Sequence, residues 1–123
     1  MTLVVDVESL PGQRAALRLT GEVDAYTAPQ FREQMAEAEA QGPNGVILDL
    51  RKIVYMDSTG LGVMMGGAKR ARERGACLAV ICTNDHILRI LRISGLVELI
   101  AVVSGEAEAL QALSAEGGPQ SDE

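Results

Sequence analysis

The sequence predicts an α/β fold, a single domain with a mostly parallel central β-sheet, an N-terminal hairpin and about four helices. Apolar or β-branched runs alternate along the chain with segments of helical periodicity. A nearly continuous apolar run at 46–50 is typical of a strand that is covered on both faces. Strands that alternate with helices form parallel sheets through right-handed crossovers. The chain has 123 residues, the ordinary length of one domain.

Local signals predict the individual elements. Two strand-like runs flank a turn signal at 10–13 and so form the hairpin. The predicted strands cover residues 2–7, 14–20, 46–50, 77–82 and 98–103. The predicted helices begin at Thr27, Ser58, Asn84 or Asp85, and Glu106, and end near Gly42, Arg74, Ile93 and Leu113. Thr27 is the candidate N-cap of the first helix, which should turn Phe31, Met35 and Ala38 inward.

Domain organisation and charge limit the classes of partner. The predicted domain spans residues 1–115, and the polar segment 116–123 is predicted to be a disordered acidic tail. The net charge is -6 and only 2% of residues are aromatic, so we expect no direct nucleic-acid partner and no membrane partner. The N-terminus lacks a basic start with a long apolar stretch, which predicts a cytoplasmic protein.

Cysteine and histidine give no sign of a metal site. Cys77 and Cys82 lie five residues apart in one predicted strand, so their side chains should point to opposite faces of the sheet. We therefore expect two reduced core residues and no bridge. The single histidine, His86, is expected to be a solvated residue in the first turn of the third helix. No metal-ligand spacing appears, and we predict neither a metal nor another cofactor.

The segment MDSTGLG at 56–62 joins a predicted strand to a predicted helix. At such a junction the unpaired N–H groups of the first helical turn point beyond the carboxyl edge of the sheet, where open α/β sheets carry their sites. Ser58 should lie at this positive end of the helix as its N-cap, a role that Asp57 could also fill.

The helix after this junction is rich in glycine. Its core-facing stripe is predicted to be Leu61, Met64, Met65 and Ala68. The glycines outside that stripe are Gly60, Gly62, Gly66 and Gly67. Each glycine inside a helix costs about 1 kcal/mol relative to alanine, so they need another explanation. With Val63, Gly62, Gly66 and Gly67 would form a low surface that another chain could approach; the alternative is close packing within the domain.

These residues depart from two enzyme motifs. Gly60, Gly62 and Gly66 form the pattern GxGxxxG, which is one residue longer than the dinucleotide-binding fingerprint. They also lie inside the predicted helix and not in a loop before it. A serine nucleophile elbow would need a glycine where Met56 stands. We therefore predict that the protein is not an enzyme.

The segment VILDLRKIVYMDSTGLG at 46–62 resembles the signature of STAS domains, in particular the stand-alone bacterial anti-sigma factor antagonists. Two other segments extend the resemblance. LTGEVD at 19–24, followed by Thr27-Ala28-Pro29, matches the family's entry to its first helix, and ISGLVE at 93–98 matches the end of its third. The resemblance covers roughly residues 3–113 and implies a single STAS-type domain.

The resemblance implies a binding module that is switched by phosphorylation. Ser58 would be the phosphoacceptor of a partner that is both an anti-sigma factor and a serine kinase, and a serine phosphatase would restore it. Unphosphorylated, the protein would bind this partner and release a sigma factor. The partner-binding residues implied are Asp24, Asp57, Ser58, Thr59, Gly60, Gly62, Val63 and Gly66. Asp49 matches the family's strand-end acid and is expected to be a turn or cap residue.

Two alternatives stay open from the sequence. One is a STAS scaffold subunit of a multiprotein complex that has no phosphoswitch. The other is a module that binds a small ligand or a nucleotide.

Overall fold

The structure, a computed structural model, describes residues 2–116. Its elements are β1 (Leu3–Leu10), β2 (Arg14–Val23), α1 (Ala28–Gln41), β3 (Gly45–Met56), α2 (Ser58–Glu73), β4 (Cys77–Ile81), α3 (Asp85–Ile93), a 3-10 turn (Leu96–Glu98), β5 (Ala101–Val103) and α4 (Glu106–Glu116). The strands lie in the order β1-β2-β3-β4-β5. β1 and β2 are antiparallel, and the other neighbours are parallel. The predicted α/β class, N-terminal hairpin and helices are confirmed.

Several predicted boundaries were wrong. β1 continues to Leu10 and β2 to Val23, whereas their predicted ends were Val7 and Thr20. β3 continues to Met56 and stays paired with β2 through two register shifts, although polar residues follow Leu50. The strand predicted at 98–103 begins as a 3-10 turn, which follows Gly95 in the left-handed conformation at φ +79°, and only Ala101–Val103 pairs with β4. Glu116 belongs to α4, and the rest of the predicted tail, 117–123, lies outside the described residues.

The sheet separates two apolar clusters. The larger one packs α1, α2 and α3 against one face and contains Phe31, Met35 and Ala38, whose inward orientation is confirmed. The smaller one packs α4 against the other face. Cys77 lies in the smaller cluster and Cys82 in the larger, so the two cysteines are buried on opposite faces, as predicted. None of the helices within residues 2–116 has the length and apolar character needed to cross a membrane.

A cluster of charged side chains fixes the start of α4 to the sheet. Arg18 on β2 contacts Asp49 at 3.1 Å and Glu106, at the start of α4, at 2.9 Å. Arg51 contacts the same Asp49 carboxylate at 2.8 Å. Burial alone would raise the pKa of Asp49, but the hydrogen bonds from Arg51 and Arg18 outweigh it and lower the pKa. The expectation that Asp49 is a turn or cap residue was therefore wrong, because it lies inside β3 as the centre of this ion cluster.

Candidate functional site

The carboxyl ends of β2 and β3 meet at one edge of the sheet. Val23 and Met56 are register partners in these parallel strands. The backbone N–H of Asp57 donates to the Val23 carbonyl at 3.1 Å. Asp24 and Asp57, which follow these partners in the chain, are therefore placed at the same edge.

Asp57, not Ser58, is the N-cap of α2. Its carboxylate accepts a hydrogen bond from the backbone N–H of Thr59 at 3.0 Å and another from the Thr59 hydroxyl. Ser58 is the first helical residue, is exposed, and its hydroxyl makes no hydrogen bond within residues 2–116. Of the two candidate caps, Asp57 and not Ser58 takes the position, because the backbone of Asp57 is extended and the helix begins at Ser58. The Ser58 hydroxyl is thus left available, whereas that of Thr59 is occupied.

Asp24 shapes the turn between β2 and α1. Its Oδ1 accepts hydrogen bonds from the backbone N–H groups of Thr27 and Tyr26, both at 2.9 Å. The bond from Thr27 is the largest of the causes that lower the pKa of Asp24. Thr27 occupies the N-cap position of α1, but its hydroxyl does not cap the helix and instead donates to the Glu22 carbonyl at 3.0 Å. Asp24 therefore presents a fixed negative charge at this edge.

The buried face of α2 differs from the predicted stripe. Its buried residues are Gly60, Val63, Met64, Gly67, Ala68 and Ala71. Leu61 and Met65, predicted to face the core, are only partly buried. These buried residues also follow a helical spacing. The buried face is rotated about the helix axis relative to the predicted stripe, so that Gly60 and Gly67 occupy core positions.

Gly60 and Gly67 are buried against side chains inside the domain, most tightly at Gly60. A Cβ at Gly60 would lie 2.7 Å from Val23 Cγ1 and 2.9 Å from Met56 Cγ. A Cβ at Gly67 would lie 3.2 Å from Met35 Cε. The alternative that assigned the glycines to packing within the domain therefore holds for these two.

The other two glycines of α2 face outward. A Cβ at Gly62 would meet nothing within 4 Å, and one at Gly66 would be close only to the flexible Arg70 side chain at 3.1 Å. The four-residue spacing places Ser58, Gly62 and Gly66 on one side of the helix. Val63, predicted for the same surface, is instead buried, as is Gly67. The resulting glycine face consists of Leu61, Gly62, Met65 and Gly66.

Two exposed tyrosines stand in the chain near the acidic residues of this edge, and the sequence analysis missed them. Tyr26, two residues after Asp24, is 84% exposed, and Tyr55, two residues before Asp57, is 43% exposed. They are the only tyrosines in the chain, and tyrosine is enriched where proteins bind each other. Their position beside two acidic residues of the motifs was the signal that could have identified them.

Glu22 adds a further acidic group to this edge. It is the register partner of Tyr55, and its Oε1 is buried without a hydrogen-bond partner among the described residues. Together with Asp24 and Asp57 it makes the edge acidic, which suits a partner surface that carries cations.

Comparisons with known proteins identify the family. Residues 5–109 match the family model of the STAS domain. An anti-sigma-B factor antagonist of Listeria monocytogenes is 33% identical over 110 residues, which cover 88% of this chain and 95% of that relative. An anti-sigma F factor antagonist of Paenibacillus polymyxa is 34% identical over 114 residues, covering 92% and 97% respectively. The crystal structure of an anti-sigma factor antagonist from Mycobacterium paratuberculosis has the same fold, with a TM-score of 0.82 at 21% identity over 92% of this chain and 95% of that one. This chain therefore belongs to the STAS domain family.

Proposed function

We propose that the protein is an anti-sigma factor antagonist whose binding is controlled by phosphorylation of Ser58. Unphosphorylated, it binds an anti-sigma factor in the cytoplasm and so frees a sigma factor. That anti-sigma factor also acts as a serine kinase, and a serine phosphatase reverses the modification. The protein itself carries out no catalysis. The names of the two sequence relatives support the partner class.

The free hydroxyl of Ser58 is the observation that carries this proposal. It is exposed and makes no hydrogen bond within the described part of the chain, whereas the neighbouring Thr59 hydroxyl is bound to Asp57. Ser58 Oγ can therefore attack the γ-phosphorus of ATP held by the kinase, with ADP as the leaving group and the hydroxyl proton passing to a base of the kinase. Because Asp57 caps α2, modification of Ser58 leaves the cap hydrogen bonds in place.

The partner surface we infer includes Ser58 and three further groups of residues. The glycine face allows close approach along α2, Tyr26 and Tyr55 supply apolar contact area, and the acidic edge attracts cations. Thr59 adds to this surface only through its exposed carbons, because its hydroxyl is occupied. Gly60 supports the surface from inside the domain rather than touching a partner.

A phosphate on Ser58 would act differently in the free protein and in the complex. It adds about -1.5 to -2 charges at pH 7. In the free protein the helix N-terminus can offset the repulsion from Asp57, so the fold survives. In the complex the phosphate would lose its water next to a partner surface that accommodates a neutral hydroxyl. Burying an unpaired charge costs far more than the ~0.3–1 kcal/mol by which a helix dipole stabilises it.

The proposal is tested with wild type, Ser58→Ala, Ser58→Asp and Thr59→Val as baits in a lysate of the native organism, followed by titration of the purified partner. Wild type and Ser58→Ala should bind an anti-sigma factor, and ATP should release wild type but not Ser58→Ala. Ser58→Asp should melt within a few degrees of wild type and bind at least about a hundredfold more weakly, about 2.7 kcal/mol. Thr59→Val should still be phosphorylated. Phosphate found only on Thr59, or a phosphoprotein that binds as tightly as before, would make the proposed switch wrong.

A further inference from the structure

A cleft of about 380 Å³ lies beyond the carboxyl ends of β4 and β5, between α3 and the start of α4. It shares no residue with the site at Ser58. Ligand sites in open α/β sheets lie at this end of the strands, and small-molecule sites have volumes of about 300–1,000 Å³. The cleft is thus in the right place and of the right size for a small molecule.

The walls of the cleft are mostly apolar. Leu88 on α3, Val97 in the 3-10 turn and Val102 on β5 are partly buried and line it. Cys82, 3% exposed, contributes its thiol to the lining. Burial raises the pKa of this thiol, so it remains neutral at ordinary pH. The interior therefore favours a hydrocarbon group over a charged one.

The two charged residues that line the cleft differ in their hydrogen bonds. Arg92 on α3 is exposed, and within residues 2–116 its guanidinium makes no ion pair or hydrogen bond. Glu108 on α4 already accepts a hydrogen bond from the Ser104 hydroxyl at 2.9 Å. Arg92 is consequently a cation available to a ligand, and Glu108 is a negative charge that disfavours a second anionic group.

We propose that this cleft binds a small monocarboxylic acid with a short apolar chain. The chain lies against Leu88, Val97 and Val102, and the carboxylate pairs with Arg92. A planar guanidinium matches a carboxylate through two parallel hydrogen bonds, which makes arginine well suited to this role. Glu108 selects against dicarboxylates by charge repulsion.

The test is calorimetric titration of the full chain with sodium hexanoate, with adipate and hexylammonium as the dianionic and cationic controls of similar length. Hexanoate should bind, and the two controls should bind much more weakly or not at all. Arg92→Gln should weaken hexanoate binding by about tenfold, the loss expected for a hydrogen bond to a charged group. Glu108→Gln should strengthen it by roughly twofold or more, because a repulsive charge is removed.

Two further variants place the binding site. Val97→Phe fills the cleft and should abolish binding, with its melting temperature measured to show that it is folded. Ser58→Asp should bind hexanoate as wild type does, because the cleft and the Ser58 site are separate. The proposal is overturned if wild type does not bind hexanoate, if hexylammonium binds equally well, or if Arg92→Gln, an exposed position that does not threaten the fold, binds as tightly as wild type.

Discussion

The backbone N–H of Asp57 is hydrogen-bonded to the Val23 carbonyl at 3.1 Å, and this bond joins the ends of β2 and β3 beside Ser58, the proposed phosphoacceptor. The side chains of Val23 and Met56, immediately before Asp57, are the groups that leave no room for a Cβ at Gly60. The position of the Asp57 cap therefore depends on a glycine three residues further along the chain.

Gly60→Ala should destabilise the protein, because its Cβ would lie within 3 Å of two buried side chains. We expect a loss of about 1–3 kcal/mol in the free energy of unfolding, as for other overpacked cores. Gly62→Ala is the matched control: its Cβ meets open space, and the higher helix propensity of alanine should stabilise the protein by up to about 1 kcal/mol. Urea unfolding of both variants measures the difference, and equal effects would contradict the packing role of Gly60.

Asp49→Asn should lower the free energy of unfolding at pH 7 by about 1–2 kcal/mol, because it removes a charged acceptor from Arg18 and Arg51, which are partly exposed and still contact Glu106. The side chain of Asp49 is only 11% exposed. Its pKa is lowered in the folded state, so its contribution to stability is complete above the usual range of aspartate pKa values and is lost as the pH falls towards the lowered value. The gap between wild type and variant should therefore shrink in acid.

Unfolding measured at neutral and acidic pH tests this dependence. Glu8→Gln serves as the control, because Glu8 contacts the same Arg18 with a side chain that is 49% exposed. Its removal should change the free energy of unfolding by less than about 1 kcal/mol. A gap for Asp49→Asn that stays constant with pH would show that the carboxylate charge is not the source of the effect.

Tyr26→Ala and Tyr55→Ala should each weaken binding of the anti-sigma factor by about 2 kcal/mol, roughly thirtyfold, if these rings are anchors of the interface. Both rings are exposed in the free protein, so its melting temperature should change little. Ile93→Ala removes an apolar side chain that is 79% exposed at the end of α3 and is the control. Should Ile93→Ala weaken binding as much as the tyrosine variants, the interface would extend over α3 and the tyrosines would have no special role.

Gly66→Glu should weaken binding of the same partner by at least about tenfold, because it places a long charged side chain on the glycine face. The fold should remain intact, since the nearest group to the new Cβ is the movable Arg70 side chain. Gln111→Glu adds the same charge to an exposed position of α4 and should have no effect on binding. Full affinity in a folded Gly66→Glu protein would remove the glycine face from the interface.

Much of the fold could be predicted because its signals are local. The apolar run of β3, the turn before β2 and the capping residue of α3 are each encoded within a few neighbouring residues. Asn84 was a predicted cap, and its side chain accepts hydrogen bonds from the backbone N–H groups of His86 and Ile87. The C-terminal half of β3 was missed because it contains polar residues and a register shift, which periodicity does not reveal.

The errors at the site come from partners that are distant in sequence. The role of Asp49 depends on Arg18, 31 residues away, and no local pattern indicates that pairing. The orientation of α2 was mispredicted because glycine was not counted as a core residue, although Gly60 and Gly67 are buried against β-strand and α1 side chains. Whether Asp57 or Ser58 is the cap depends on which residue has the first helical backbone conformation, and two neighbouring capping residues do not determine this.

The order of the strands in the sheet also bears on how the protein is made. Each strand pairs with the strand that precedes it in the chain, from β1 to β5. No strand is inserted between two others that formed earlier, so the sheet can grow at one edge as the ribosome releases the chain from its N-terminus. The edge that carries Ser58 is complete once β2, β3 and α2 have emerged, whereas the cleft beside α3 and the ion cluster at the start of α4 form only after β4, α3, β5 and the start of α4 have followed.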